Sequence, residues 1–306
     1  MNHENITWNK YDDNNPNRRI AAFGRSSAIW KYVRPEVFAP ALPYAAALTT
    51  THPGVAAGVR HHSVFNKNAI TPFIRVLATA DSGIQLVSDR RYEVDRVASK
   101  LYKFHQTVQG AHDSIDGQDW NGKTYGANMA ELQTFVGTTL YDTFVKTHNR
   151  WIGELSDDNK HDLWMDMMDF METIGIPRSE MPSSAIEADE YIENFIESGL
   201  AGSTKTSYDV TREVVNVPML DGTPITPAAR VVTALSKSLF DPRLQETFDI
   251  VPTNREQKLI KAADFAINSF IKTTPDILRL EIIPGYLAGR RVVAPVLGKI
   301  ASALHR

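Results

Sequence analysis

Cysteine is missing from this 306-residue sequence. Its absence excludes disulfide bonds, thiolate nucleophiles, iron–sulfur clusters, cysteine-ligated zinc and haem iron held by a thiolate. A metal ion or a haem iron, if the chain binds one, must therefore be held by nitrogen or oxygen atoms. Nine histidines are available for that purpose.

Basic charge and long apolar runs are also scarce. The formal net charge is −3 and no block of like charge stands out, so nucleic acid is not an expected partner. No uncharged apolar run reaches the roughly 20 residues of a membrane-spanning helix, so no span is expected. The first residues are polar and acidic rather than basic and then apolar, which predicts no export signal and a cytoplasmic protein.

The common catalytic motifs are absent as well. The sequence has no GxSxG turn, no Walker A loop, no glycine-rich dinucleotide fingerprint and no HExxH. Asp158 and His161 form one carboxylate–xx–histidine pair, but a di-iron site in a helical bundle needs two such pairs and further glutamates. We interpret this pair as part of a solvated helix face.

Helical spacing of apolar residues dominates the pattern that is present. It predicts an all-α fold, in which a flexible arm over residues 1–19 precedes a single domain over residues 20–306. One long helix is predicted over residues 129–151. The segment over residues 208–217 fits a helix or a strand equally well, and the glycine- and aspartate-rich segment over residues 110–126 is predicted to be a loop beside a pocket.

A second long helix is predicted to begin at Ser156, a favourable N-cap residue. Its apolar stripe is rich in methionine and ends before Gly175, a residue type that commonly ends helices. The stripe consists of Leu163, Trp164, Met167, Met168 and Met171. We interpret the stripe as core packing, and a pocket for an apolar ligand is the alternative.

The segment from Thr71 to Gly110 carries the strongest indication of chemistry. Arg75 and Thr79 lie four residues apart and so point from one face of a helix. A second helical pattern follows, and His105 falls on its apolar stripe. The two helices could form a haem pocket, in which His105 ligates the iron and Arg75 holds a propionate or lines the distal side.

A simpler explanation of this segment needs no cofactor. His105 would then be a hydrogen-bonded core histidine, and Arg75 would close a buried ion pair. On spacing alone this explanation is the commoner one, because a single histidine in an apolar stripe is weak support for a ligand site. His61 and His62 are adjacent, and neighbours in a helix point in different directions, so at most one of them is expected to share a site with His105.

Short motifs follow one another in a characteristic order along most of the chain. They are His52-Pro53, Gly58-Val59, His62-Ser63, Arg75 with Thr79, His105 with Gly110, Tyr125 with Asn128, Gly175-Ile176-Pro177 with Pro182, and Pro275 with Arg279. Each motif is weak alone, but the ordered set is fairly specific. The set resembles the superfamily of the mpaB-type oxygenases and the latex clearing proteins, which are rubber oxygenases.

This resemblance implies an all-α fold with a b-type haem between central helices. His105 would be the proximal iron ligand, Arg75 and Thr79 would line the haem pocket, and His62 is a candidate distal residue. We therefore expect a haem b-dependent oxygenase, or a peroxygenase-like oxidoreductase, that acts on a small, largely apolar organic substrate with dioxygen or peroxide. A non-catalytic helical haem-binding or sensor protein is the alternative, and a helical protein without cofactor is a third explanation.

The sequence differs from the rubber oxygenases at three points. Ala78 stands where they place a lysine between the arginine and the threonine, and no glutamate upstream of Arg75 matches their base. Gly137 occupies a position at which many relatives carry a histidine. Together with the missing export signal, these differences favour a small substrate over an extracellular polymer.

Overall fold

Helices make up most of the chain that the structure describes, which confirms the predicted all-α fold. The structure, a computed structural model, describes residues 20–24, 26–62, 79, 81–88, 90–216, 226–275, 278 and 285. Its helices are α1 (Ala28–Tyr32), α2 (Pro35–Phe38), α3 (Leu42–Thr50), α4 (Pro53–His62), α5 (Arg91–Gln106), α6 (Ala130–Trp151), α7 (Asp157–Thr173), α8 (Ala185–Glu197), α9 (Lys205–Val215), α10 (Thr226–Leu239), α11 (Pro242–Thr247) and α12 (Asn254–Thr273). Residues 81–86 are also helical. The predicted arm over residues 1–19 lies outside the described residues.

Capping side chains set several of the helix starts. The Ser156 hydroxyl accepts a hydrogen bond from the Asn159 amide and so begins α7, as the sequence predicts. At the start of α12, Thr253 and Glu256 satisfy each other's backbone amides in a capping box. Because such a hydrogen bond joins residues only three positions apart, the start of α7 could be predicted from sequence.

The ambiguous segment over residues 208–217 is helical as far as Val215, where α9 ends. Thr204 and Ser207 form a capping box at its start. Val210 and Val214 are buried at helical spacing, and α9 packs against α3 and α4. The β-branched residues made the segment resemble a strand, but the cap and the one-sided burial favour the helix.

A short hairpin takes the place of part of the predicted loop. Strands β1 (Gln109–Ala111) and β2 (Thr124–Gly126) pair antiparallel, and a 3₁₀ turn over Ser114–Asp116 lies between them. The prediction of an irregular loop over residues 110–126 was therefore wrong in part. Three-residue strands are too short to show alternation in a sequence.

The long helix α6 lies at the centre of the packing. It contacts α2, α3, α7, α8 and α12. Its Trp151 belongs to an apolar core that also contains Tyr44, while Tyr141 belongs to a second core with the methionine-rich stripe of α7. All five members of that stripe are buried, so its interpretation as core packing is confirmed.

Gly137 allows α6 and α7 to approach each other closely. A Cβ atom at this position would overlap the side chain of Met171. Position 137 therefore has no room for a larger side chain unless Met171 moves.

We expect Gly137→Ala to lower the free energy of unfolding by about 1–2 kcal/mol in urea denaturation. Overpacking at a close contact is the cause, and it exceeds the gain of about 1 kcal/mol in helix propensity. Gly83→Ala is the matched control, since Gly83 is helical and a Cβ there would meet nothing within 4 Å. It should leave stability unchanged or raise it. A Gly137→Ala protein as stable as the parent would contradict this account of the contact.

Candidate active site

His105 occupies the last turn of α5 and is half-buried. Its Nδ1 lies 3.3 Å from Nε2 of Gln133, which belongs to the first turn of α6. The ring of Phe104 lies beside it, with 6.0 Å between the ring centroids. One nitrogen of the imidazole is therefore tied to a neighbouring helix, which limits how the ring can turn.

Gln133 is itself held by a short chain of hydrogen bonds. Its Nε2 donates to Oδ1 of Asn128 at 3.2 Å, and Nδ2 of Asn128 donates to the Tyr102 carbonyl at 3.3 Å. Both amide side chains are buried. This chain connects the end of α5 to the start of α6 and holds Gln133 beside His105.

The other predicted site residues have no described contact with His105. Thr79 is helical and exposed, and Arg75 lies outside the described residues. His62 is the last residue of α4 and is exposed, and its Nε2 lies 3.3 Å from Oη of Tyr125. The structure therefore brings His62 to the hairpin. The roles of Arg75 and Thr79 stay predictions.

Tyr125 lies at the centre of a polar cluster that the sequence patterns did not reveal. Its Oη is 2.7 Å from Nδ1 of His61, in addition to its contact with His62. Nε2 of His61 is in turn 3.0 Å from Oδ2 of Asp113. Two adjacent histidines thus contact one hydroxyl. The Tyr125–Asn128 and His62–Ser63 motifs pointed to two members of this cluster, but not to their contact.

Glycines in β1 and α4 let the side chain of Tyr125 lie against both elements. A Cβ atom at Gly110 would lie 2.7 Å from Oη of Tyr125, and one at Gly58 would lie 3.9 Å from the Tyr125 ring. Burial, followed by the charge of Asp113, raises the pKa of Tyr125. The phenol is therefore protonated at neutral pH and can donate a hydrogen bond.

His112 and Asp116 form a buried pair that fixes the hairpin. Nδ1 of His112 donates to Oδ2 of Asp116 at 2.8 Å, and the two side chains are 1% and 0% exposed. Oδ1 of Asp116 accepts a hydrogen bond from the Thr206 amide, in the first turn of α9, at 2.9 Å. Burial alone would raise the pKa of Asp116, but the hydrogen bonds from His112 and Thr206 outweigh it and lower the pKa.

His52 lies just before α4 and is buried. Its Nδ1 accepts a hydrogen bond from the Gly54 amide at 3.1 Å and so caps the helix. Its ring stacks on Phe195 and leans against Phe135. Burial, with a further contribution from His112, lowers the pKa of His52 to about 4, so this side chain is neutral at pH 7.

A comparison with known families settles the class of the protein. The model of the family described as "ER-bound oxygenase mpaB/B'/Rubber oxygenase, catalytic domain" matches residues 30–268. The chain belongs to this family. It is therefore an oxygenase, and the resemblance noted in the sequence is confirmed. Searches of curated proteins and of solved structures found no match.

The described part of this oxygenase contains no cluster of metal ligands. Across those residues, no three histidine, aspartate or glutamate side chains are placed to hold a metal ion together. A haem iron needs only one histidine from the protein. None of the described helices is long and apolar enough to cross a membrane.

We expect the stability of this oxygenase to fall as the pH drops from 6.5 to about 4, because His52 must stay neutral in the folded state. The unfolded chain takes up a proton at the ordinary pKa of 6.5, whereas the folded chain does so only near pH 4. Unfolding therefore binds a proton in this window, and stability is lost as the pH falls. The full window corresponds to roughly 3 kcal/mol.

Denaturant unfolding at pH 7 and pH 5 measures this loss. His52→Asn keeps an acceptor for the Gly54 amide and should reduce the difference between the two pH values. His161→Asn, at an exposed position of α7, should retain the full difference. A His52→Asn protein with the pH dependence of the parent would contradict the role assigned to His52.

Proposed function

We propose that this chain is a haem b-dependent oxygenase that acts on a small, largely apolar organic molecule with dioxygen or peroxide. His105 would ligate the iron through Nε2, Arg75 and Thr79 would line the haem pocket, and His62 would lie on the distal side. The placement of His105 carries this proposal. Membership of an oxygenase family supports the reaction class.

The neighbour of His105 decides which ring nitrogen could hold a haem iron. A histidine that ligates iron through Nε2 has its Nδ1–H bonded to a neighbouring acceptor, which fixes the tautomer and the ring. Gln133 is the neighbour here, and it faces Nδ1 with its amide nitrogen. The same Nε2 also donates to Oδ1 of Asn128, which orients the Gln133 amide. Ligation of iron by Nε2 of His105 would therefore require Gln133 to turn its oxygen to Nδ1, where it accepts the Nδ1–H, and to give up the hydrogen bond to Asn128.

Haem bound at His105 would supply a redox-active iron at which dioxygen or peroxide is activated. Arg75 would neutralise a propionate, a charge-assisted contact that suits the guanidinium group. The exposed hydroxyl of Thr79 is accessible to a ligand and would donate a hydrogen bond on the distal side. His62 is also accessible and would transfer a proton there.

We expect His105→Ala to abolish haem retention, whereas His161→Ala should retain haem like the parent. The measurement is the ultraviolet–visible spectrum of protein expressed with iron and a haem precursor. The parent should show a strong Soret band that shifts on reduction and on addition of carbon monoxide. A His105→Ala protein with full haem occupancy would overturn the ligand assignment. A parent without a Soret band, even after haem is added back, would overturn the cofactor.

We also expect Gln133→Leu to weaken haem binding by about tenfold, because loss of a hydrogen bond to a ligating histidine typically lowers affinity by that order. A haem titration of the apoprotein gives the two dissociation constants. Gln106→Leu is the control, since Gln106 is exposed at the end of α5. Equal affinities of the Gln133→Leu protein and the parent would show that Gln133 does not support the ligand.

One observation favours the non-catalytic alternative. Gly137 stands at the position where the resemblance to the rubber oxygenases leads us to expect a histidine. It packs against Met171 instead, so that histidine has no counterpart here. A spectral response to dioxygen without consumption of apolar alkenes or phenols would support a haem-binding or sensor protein. Substrate consumption that depends on His105 would support the oxygenase.

A further inference from the structure

The hydroxyl of Tyr125 is the middle member of a chain of hydrogen-bonding groups. The chain runs from Oδ2 of Asp113 to Nε2 of His61 (3.0 Å), from Nδ1 of His61 to Oη of Tyr125 (2.7 Å), and from Oη to Nε2 of His62 (3.3 Å). Tyr125 is 2% exposed, whereas the Asp113 side chain is 60% exposed and His62 is also exposed. A buried hydroxyl therefore links two groups that reach solvent.

The charge of Asp113 gives this chain a direction. A carboxylate only accepts hydrogen bonds, so His61 must donate to it from Nε2. In the neutral ring, Nδ1 then carries the lone pair and accepts the Tyr125 O–H. The oxygen of Tyr125 is left as the acceptor for an Nε2–H of His62. Every donor in the chain thus points from His62 towards Asp113.

We propose that Asp113, His61 and Tyr125 form a proton relay that carries a proton from His62 to the carboxylate of Asp113 when a bound substrate covers the exposed face of His62, so that His62 works as the proton acceptor of the active site. The proposal rests on the proposed function in one respect, which is the assignment of His62 to the distal side. His62 is then the catalytic residue, and the other three act through it.

The proton transfers balance. His62 takes a proton from the reacting molecule on Nδ1 and becomes an imidazolium. Its Nε2–H proton passes to Oη of Tyr125, the Tyr125 proton passes to Nδ1 of His61, and the Nε2 proton of His61 passes to Oδ2 of Asp113. His62 is neutral again, and the exposed carboxyl group of Asp113 releases a proton to water. Proton exchange with water at the exposed His62 and at His61, whose side chain is 26% exposed, restores the starting tautomer of each ring, and rotation of the Tyr125 hydroxyl restores the direction of its hydrogen bond.

Among the described residues, the other charged groups near this cluster are paired elsewhere, and Asp113 is the carboxylate that contacts His61. Arg60, on the same helix, is paired with Glu213 of α9 at 3.1 Å. His112 in the hairpin is paired with Asp116. The burial that raises the pKa of Tyr125 keeps its proton in place at neutral pH, as a relay group requires.

The first test is the 15N spectrum of the full-length protein labelled at histidine, with His61→Gln and His62→Gln used to assign the signals. We expect the neutral His61 ring to carry its proton on Nε2. A proton on Nδ1 would reverse the hydrogen bond to Tyr125 and would overturn the direction of the relay.

The second test asks whether Asp113 acts on His62 through the Tyr125 hydroxyl. The titration of His62 is followed in the parent, Asp113→Asn, Tyr125→Phe and the double variant. We expect Asp113→Asn to lower the proton affinity of His62 by about threefold in the parent background, the order found for groups in one hydrogen-bond network. The effect should disappear in Tyr125→Phe, which keeps the ring and loses the hydroxyl. Asp119→Asn, an exposed carboxylate of the same segment, is the matched control and should change nothing.

An effect of Asp113→Asn that is equal with and without the Tyr125 hydroxyl would show that the carboxylate acts only through space, and the relay would be wrong. The absence of any effect would overturn it too. If Tyr125→Phe does not fold by circular dichroism, His61→Gln breaks the same chain at a partly exposed position and replaces it in the cycle. These measurements need neither haem nor substrate, so a failed relay and a missing Soret band are separate outcomes.

Discussion

The buried carboxylate of Asp116 joins the hairpin to the helical body, and the geometry of the whole candidate site depends on that joint. One oxygen holds His112 in the hairpin, and the other accepts the Thr206 amide at the start of α9. Because α9 packs against α3 and α4, the hairpin is fixed relative to the end of α4. A buried carboxylate that lost these donors would be strongly destabilising. Asp116 therefore fixes the position of the hairpin, and loss of either of its donors would also destabilise the fold.

The segment from Tyr125 to Gln133 passes this positioning on to three helices. Tyr125 contacts the last two residues of α4, Asn128 binds the Tyr102 carbonyl of α5, and Gln133 stands beside His105. Each of these contacts involves a helix end or the segment between a strand and a helix. Functional groups concentrate at such places because the packed helices behind them supply rigidity while the ends stay accessible.

The parts of the fold that could be predicted from sequence are those set by neighbours along the chain. Ser156 caps α7 through the amide three residues on, and the stripe of α7 repeats at helical spacing, so both were predictable. The contacts of the site join distant residues: Asp116 reaches Thr206 across 90 positions, and His61 reaches Tyr125 across 64. The spacing of apolar residues along the chain gives no information about contacts between such distant residues. The order of the family motifs brought Tyr125 to notice, but its partners His61 and Asp113 required the folded hairpin.

The packing also limits where an apolar substrate could bind. The methionine-rich stripe of α7 was the one apolar surface in the sequence with a pocket as its alternative explanation. All its members are buried, and Gly137 of α6 closes the contact so tightly that a Cβ atom would collide with Met171. At this contact the core has no space for a ligand. The end of α5 differs, because Phe104 is 46% exposed next to the half-buried His105. An apolar molecule that meets an iron held by His105 would therefore lie against α5, away from the α6–α7 contact.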